Sequence, residues 1–225
     1  MREITLPESP LFRGIPSAET ENLLSCLGAE RRQYAKGQSI LRAGDVVTSL
    51  GLVLSGSVLI ENDDFWGNAT VLDHVGPGQI FAETYACTPG EPLMVFVTAA
   101  EAAEILFLNM ARVLQTCPHA CASHGQLIRN LLALSAQKNL HLSRKIFHTA
   151  PRTIRGRLLS YLSDEAMRVG SRSFTIPFNR QQLADYLHVD RSALSHELGN
   201  MQREGLLRVR KNQFELNSGC QDFGL

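Results

Sequence analysis

The sequence has no run of 18 apolar residues, so it offers no membrane-spanning segment. Its opening stretch, MREITLPESPLFRGIP, has no apolar core of the kind a secretory leader needs, and none is expected. Cysteine is scarce. Five in 225 residues, odd in number and scattered, exclude a small disulfide-stapled scaffold and point to a reducing cytoplasm. Charge of one sign is lacking, since 22 basic residues meet 22 acidic ones. CxxC, a glycine-rich phosphate loop, a nucleophile elbow and HExxH are all missing, so no enzyme is expected. There is no long internal repeat and no low-complexity tract.

What is present is an ordinary globular composition, 44% hydrophobic and 20% charged, which supports a packed core. At roughly 150 residues per domain, the length fits one or two domains. The zero net charge hides an asymmetry. Residues 1–149 hold 11 basic and 14 acidic residues, net −3, whereas residues 150–225 hold 11 and 8, net +3. The sign directs a search for a polyanion partner to the C-terminal third.

The texture of the chain changes twice. Ser17 is read as the cap of a short first helix with Leu23, Leu24 and Leu27 on its apolar face. From Arg31 to about Asn109, short apolar runs (SILRAGD, LGLVLSGSVLIEND, ATVLDHVGPGQ, LMVFVTA, EILFLN) alternate with glycines and Asn/Asp turns, which predicts a β-roll, barrel or sandwich. From Met110 the pattern becomes helical. MARVLQTC reads as a short helix ended by Pro118, and His119–His148 reads as a helix about 45 Å long. Its apolar residues occupy more than one face, so it is expected to cover the roll on one side and a second copy of itself on the other. Ala150-Pro151 is the expected boundary, giving domains 1–149 and 150–225. A helix over Thr153–Arg168 stopped by Gly170 and a strand in SFTIPF follow.

Residues 180–205, RQQLADYLHVDRSALSHELGNMQREG, read as two helices joined by a turn at His188–Asp190. Asp190 is the expected cap of the second helix, whose Leu194, Leu198 and Met201 recur at core spacing. Arg191, Ser192, Ser195 and His196 then project from its first turns, where a helix-turn-helix reads base edges. Arg suits guanine O6/N7, while Ser and His donate or accept more freely. LLRVRKNQFEL reads as a wing whose Arg208, Arg210 and Lys211 suit phosphates.

The order of parts, with Lys36-Gly37, Gly44-Asp45, LVLSGSV at Leu52–Val58 and GPGQIFAE at Gly76–Glu83, resembles the Crp–Fnr family of bacterial transcription regulators over essentially the whole chain. The resemblance implies an α+β fold: a jelly-roll-like β-roll of the cyclic-nucleotide-binding type, a long dimerisation helix (about 119–148) and a C-terminal winged helix-turn-helix. It also implies a homodimer on palindromic double-stranded DNA, contact with RNA polymerase, and an effector in the roll. Arg191 falls at the family's arginine. Ser192 stands where better-known members carry Glu, and His196 where they carry Arg, so their operator is not carried over. Arg180 and Gln181 fall at phosphate-contacting positions.

In members similar to the cyclic-AMP receptor, a Glu meets the ribose and an Arg-Ser pair meets the phosphate. Glu83 matches the first, but Leu93-Met94 occupy the place of the pair, which argues against cyclic AMP. Glu83 itself reads first as a structural carboxylate. Leu93 and Met94 suit the wall of an apolar effector pocket. The second set of candidates is Cys87, Cys117, Cys121 and His124, with TCPHACASH placing three of them within two helical turns. Thiolates and imidazoles suit zinc or an iron–sulfur cluster, and His74, His119 and His124 suit haem, so the signal expected in the roll is a small molecule, a redox change or a gas. Buried core cysteines are the competing reading. A thiol or metal redox protein built on Cys117, Cys121 and His124 is the alternative to a regulator.

Overall fold

The computed structural model describes residues 6–63, 69–115 and 122–217. Two compact units divide within the longest helix, Met1–Gln137 and Lys138–Leu225.

The first unit opens with a turn of 3-10 helix and α1 (Ser17–Cys26). Eight strands follow: β1 (Glu30–Tyr34), β2 (Ser39–Leu41), β3 (Ser49–Ser55), β4 (Val58–Asp63), β5 (Ala69–Val75), β6 (Ile80–Phe81), β7 (Phe96–Ala99) and β8 (Ala103–Asn109). The short α2 (Glu83–Ala86) interrupts them after β6, and α3 (Met110–Leu114) and α4 (Ala122–Thr149) close the series. The strands form two antiparallel four-stranded sheets, ordered β1-β8-β3-β6 and β2-β7-β4-β5.

The apolar runs of β3 and β8 are explained by burial on both faces. Leu50, Leu52, Leu54, Leu106 and Leu108 face one core, shared with Leu23, Leu24 and Leu27 near α1, Val113 of α3, and Leu127 and Leu131 of α4. Val53, Ile105 and Phe107 point the other way, into a core shared with Val58, Val97 and Phe81. Alternate residues of one strand thus serve two cores, as the pleat dictates. Gly51 is required between them, because a Cβ there would lie 2.2 Å from the Phe81 ring. Gly56 turns β3 into β4 with φ +72, and a Cβ there would lie 2.2 Å from the Ala102 carbonyl oxygen.

The second unit contains the end of α4, α5 (Ile154–Val169), β9 (Ser173–Thr175), α6 (Arg180–Leu187), α7 (Arg191–Arg203), β10 (Leu207–Arg210) and β11 (Gln213–Leu216). Thr153 caps α5 by accepting from the Gly156 N–H, and Gly170 ends it in the left-handed conformation. Leu158, Leu162, Leu183, Leu187, Leu194, Leu198, Met201 and Phe214 make its core. The wing is a three-stranded antiparallel sheet, β10-β11-β9.

Several local expectations are corrected. Ser17 is the first helical residue, not the cap; Pro16 holds that place without a side-chain bond. β1 and β6 were not foreseen. β1 is a polar strand, ERRQY, almost wholly exposed, and forms because β8 pairs with it, not because its own pattern asks for it. β6 is two residues long.

Candidate nucleic-acid interface

α6 and α7 are set by local chemistry. Asn179 accepts from the Gln182 N–H while Gln182 accepts from the Asn179 N–H, a reciprocal capping box. α6 ends at His188, whose φ of +52 turns the chain toward α7. That left-handed turn leaves carbonyls without helical partners. Arg157 of α5 fills the need: its Nη1 donates to the Leu187 and His188 carbonyls at 2.9 Å, and its Nε to the Pro151 carbonyl. Asp190 then caps α7, accepting from the Ser192 and Ala193 N–H groups and from the Ser192 hydroxyl. Those donors, the Ser192 hydroxyl foremost, hold its carboxyl below the usual range.

α7 is fastened from behind. Leu194 and Met201 are fully buried and Leu198 nearly so. Arg155 of α5 donates to Glu197 at 2.5 Å and to both oxygens of Glu204 at 2.7 and 2.8 Å, so one guanidinium grips the middle and the end of the helix. The outer side is polar. Arg191, Ser192, Ser195 and His196 are all exposed. Their states differ, however. The Ser192 hydroxyl is spent on Asp190, and the Ser195 hydroxyl donates to the Arg191 carbonyl at 2.9 Å. The side chains of Arg191 and His196 make no such bond among the described residues.

The flanking candidates divide likewise. Arg180 is half-buried, donates to the Lys211 carbonyl of the wing turn at 3.3 Å, and is pushed down from the usual guanidinium pKa by that burial. Gln181 donates to Asp185. Arg210 and Lys211 are exposed on the wing, and exposed Arg208 lies 3.9 Å from Glu215.

The effector candidates are not gathered into one wall. Glu83 is buried at the start of α2, just after Ala82, which holds an unusual left-handed φ of +60. Leu93 is buried, but Met94 is 70% exposed and lines no apolar interior. A cleft of about 630 Å³ lies elsewhere on the roll, between Arg32, Ile40, Val46, Phe107 and Arg112.

Cys117, Cys121 and His119 lie outside the described residues. Cys87 is exposed, and burial of its sulfur, then the nearby Glu83 charge, push its thiol pKa up, opposite to an activated thiolate. His124 is buried, with Nε2–H donating to the Val113 carbonyl at 2.7 Å. His74 is exposed on β5. No group of three or more His, Cys, Asp or Glu is placed to hold a metal among the described residues.

One functional candidate escaped the sequence reading. His148, in the last turn of α4, is 4% exposed. Its Nδ1 bonds the Tyr186 hydroxyl of α6 at 2.9 Å, its Nε2 lies 3.4 Å from Asp164 of α5, and its ring stands edge-on to Tyr161. Only the third dimension brings these residues together. Burial lowers its pKa, against the raising pull of Asp164. The neutral form is therefore favoured in the folded state. Its contribution to stability is present above about pH 6.5 and is lost as pH falls from there toward the depressed folded value. Melting of the wild type should thus drop between pH 7 and pH 5.5, and His148→Gln should flatten that drop. An equal slope in both would remove His148 as its source.

A roll of two four-stranded sheets, a 28-residue helix and a winged helix-turn-helix with a polar outer face are the parts of a DNA-binding transcription regulator. Comparison with known proteins agrees. The cyclic nucleotide-binding domain family matches residues 31–119 and the Crp-like helix-turn-helix domain matches residues 156–218. The chain is 28% identical over 222 residues to the cyclic AMP receptor protein of Thermus thermophilus, covering 94% of each. It is 22% identical over 184 residues to the cAMP-activated global transcriptional regulator CRP of Haemophilus influenzae, covering 79% of each. The solved Thermus thermophilus catabolite activator protein superposes with a TM-score of 0.52 at 26% identity, over 93% of this chain and 94% of that one. In both domain matches and in these relatives the chain is similar to Crp-type transcription regulators along most of its length. The redox alternative gains no support from these relatives, which are regulators. No helix among the described residues is long and apolar enough to cross a membrane.

Proposed function

We propose that the protein acts in the cytoplasm as a homodimer that reads a palindromic operator and answers to a small organic effector in its roll. The observation that carries the operator reading is the division of labour on α7. Its two hydroxyl side chains are bonded at its N-terminal turns, while Arg191 and His196 have no side-chain hydrogen bond among the described residues and face outward. Arg191 and His196 read base edges, with Ser192 and Ser195 as short acceptors beside them. Arg208, Arg210, Lys211 and Gln181 meet phosphates, and Arg180 braces the wing that carries them. Residues 150–225 are the DNA-binding domain, and residues 1–149 hold the sensor and the dimer helix. RNA polymerase is the expected protein partner.

The homodimer reading rests on α4, which leaves Leu132, Leu140, Leu142, Ile146 and Phe147 between 57% and 70% exposed. The effector reading rests on the resemblance, which sets Leu93 and Met94 where cyclic-AMP-binding members carry their phosphate donors, and neither residue offers one. An effector that binds one state better than the other then shifts the population of DNA-competent dimers.

The test is selection from a randomised duplex library with the purified protein. An inverted repeat with half-site centres about 34 Å apart is expected. Recovery of unrelated sequences would overturn the operator reading. Calorimetric titration with cyclic AMP is expected to give no saturable heat, and a saturable signal would overturn the effector reading.

A further inference from the structure

Gly199 sits at the ninth position of the 13-residue α7. Glycine is the poorest helix former after proline, so a glycine inside a helix calls for a reason. The usual reasons fail. Its φ is not left-handed, and a Cβ built on it meets nothing within 4 Å. Gly51, Gly56 and Gly78 contrast with it, each having a protein atom 2.2 Å from its imagined Cβ. Nothing in the folded unit reserves the space beside Gly199.

Its position supplies the reason. Gly199 follows Ser192 by seven residues, Ser195 by four and His196 by three, so it shares their side of the helix. Leu194, Leu198 and Met201 define the opposite, buried side. On the N-terminal side of Gly199 the outer face is built from side chains that are short or end in a polar ring, with the two hydroxyls folded back onto the helix, and one turn further on the exposed Arg203 donates to Asn200.

We propose that Gly199 is a contact position for the operator, where duplex DNA comes within van der Waals distance of the α7 backbone and a side chain is excluded. The proposal rests on α7 being the recognition helix and adds how deeply it is seated. It makes an unusual pairing of signs. Removing the glycine should help the protein and harm the complex.

Gly199→Ala, Gly199→Leu and Arg191→Ala are compared with the unmodified protein, using the duplex that protein selects from a randomised library. Gly199→Ala is expected to raise the melting temperature by about 2–4 °C. It should weaken duplex binding tenfold or more, and Gly199→Leu should weaken it further. A stabilised Gly199→Ala protein that binds as tightly as the original overturns the proposal. A lowered melting temperature does so too, since the space would then be needed by the protein itself. If Arg191→Ala loses affinity while Gly199→Ala does not, only the role of Gly199 falls. If neither loses affinity, the assignment of α7 as the reading helix falls with it.

Discussion

Replacing Leu140 and Phe147 together by aspartate is expected to turn a dimer into a monomer and to abolish tight operator binding. Leu132, Leu140, Ile146 and Phe147 fall within about a third of the circumference of α4 at 3.6 residues per turn, and all four are more than half exposed. A stripe of this kind on a regular helix asks for a cover. In a two-fold pairing each side chain is used twice, once on each subunit. Fully burying each is worth about 1.5–3 kcal/mol, so eight of them supply at most about 12–24 kcal/mol. That gross gain exceeds most estimates of the 4–15 kcal/mol cost of association. The double substitution takes away half of the stripe and puts four carboxylates into the seam. Sedimentation velocity at micromolar concentration should then report the mass of a single 24.9 kDa chain. The consequence for DNA is larger than the loss of any one contact. Two linked reading heads gain by effective concentration, and breaking the link costs roughly 10²–10⁴ in affinity. A variant that stays dimeric would show that the stripe is covered by something other than a second copy.

The two ends of the chain were not equally legible. The helix-turn-helix could be read because its signals are local: a capping residue, apolar positions at helical spacing, and a short turn. Asp190, Leu194, Leu198 and Met201 stand where that pattern puts them. The long strands were legible for a similar reason, since β3 and β8 are apolar on both faces and leave a continuous hydrophobic run. β1 was hidden because an exposed edge strand of charged residues carries no hydrophobic period. Arg155 and Arg157 were hidden for another reason. Apart from Pro151, which is close to Arg157 in sequence, their partners lie 30 to 49 residues away, and no spacing rule connects an arginine on α5 to a carboxylate or a carbonyl that far along the chain. His148 was missed in the same way. Met94 shows the reverse error, an apolar residue assigned to a wall because of its neighbour Leu93, although at the bend before β7 Leu93 is buried and Met94 turns out to solvent.

Arg191→Ala is expected to weaken operator binding by about 1–3 kcal/mol, roughly fivefold to 150-fold, without destabilising the protein. The second half follows from where Arg191 sits. It is the first residue of α7, at the positive end of the helix dipole, where a cation is unfavourable. It is exposed and its side chain has no partner among the described residues, so truncation removes no packing. Removal should leave thermal stability unchanged or slightly raised, the sign opposite to the effect on binding. The salt dependence then tells which atoms Arg191 touches. A phosphate contact would lower affinity for all sequences alike and reduce the slope of log K against log salt by about one. A base contact would leave that slope nearly as it was and relax the preference at one position of each half-site, most plainly at a guanine. His196→Ala serves as the internal comparison, because His196 lies about 7.5 Å further along the helix axis at 1.5 Å per residue and should relax a different position. Loss of stability with retained affinity in Arg191→Ala would reverse both signs and remove Arg191 from the interface.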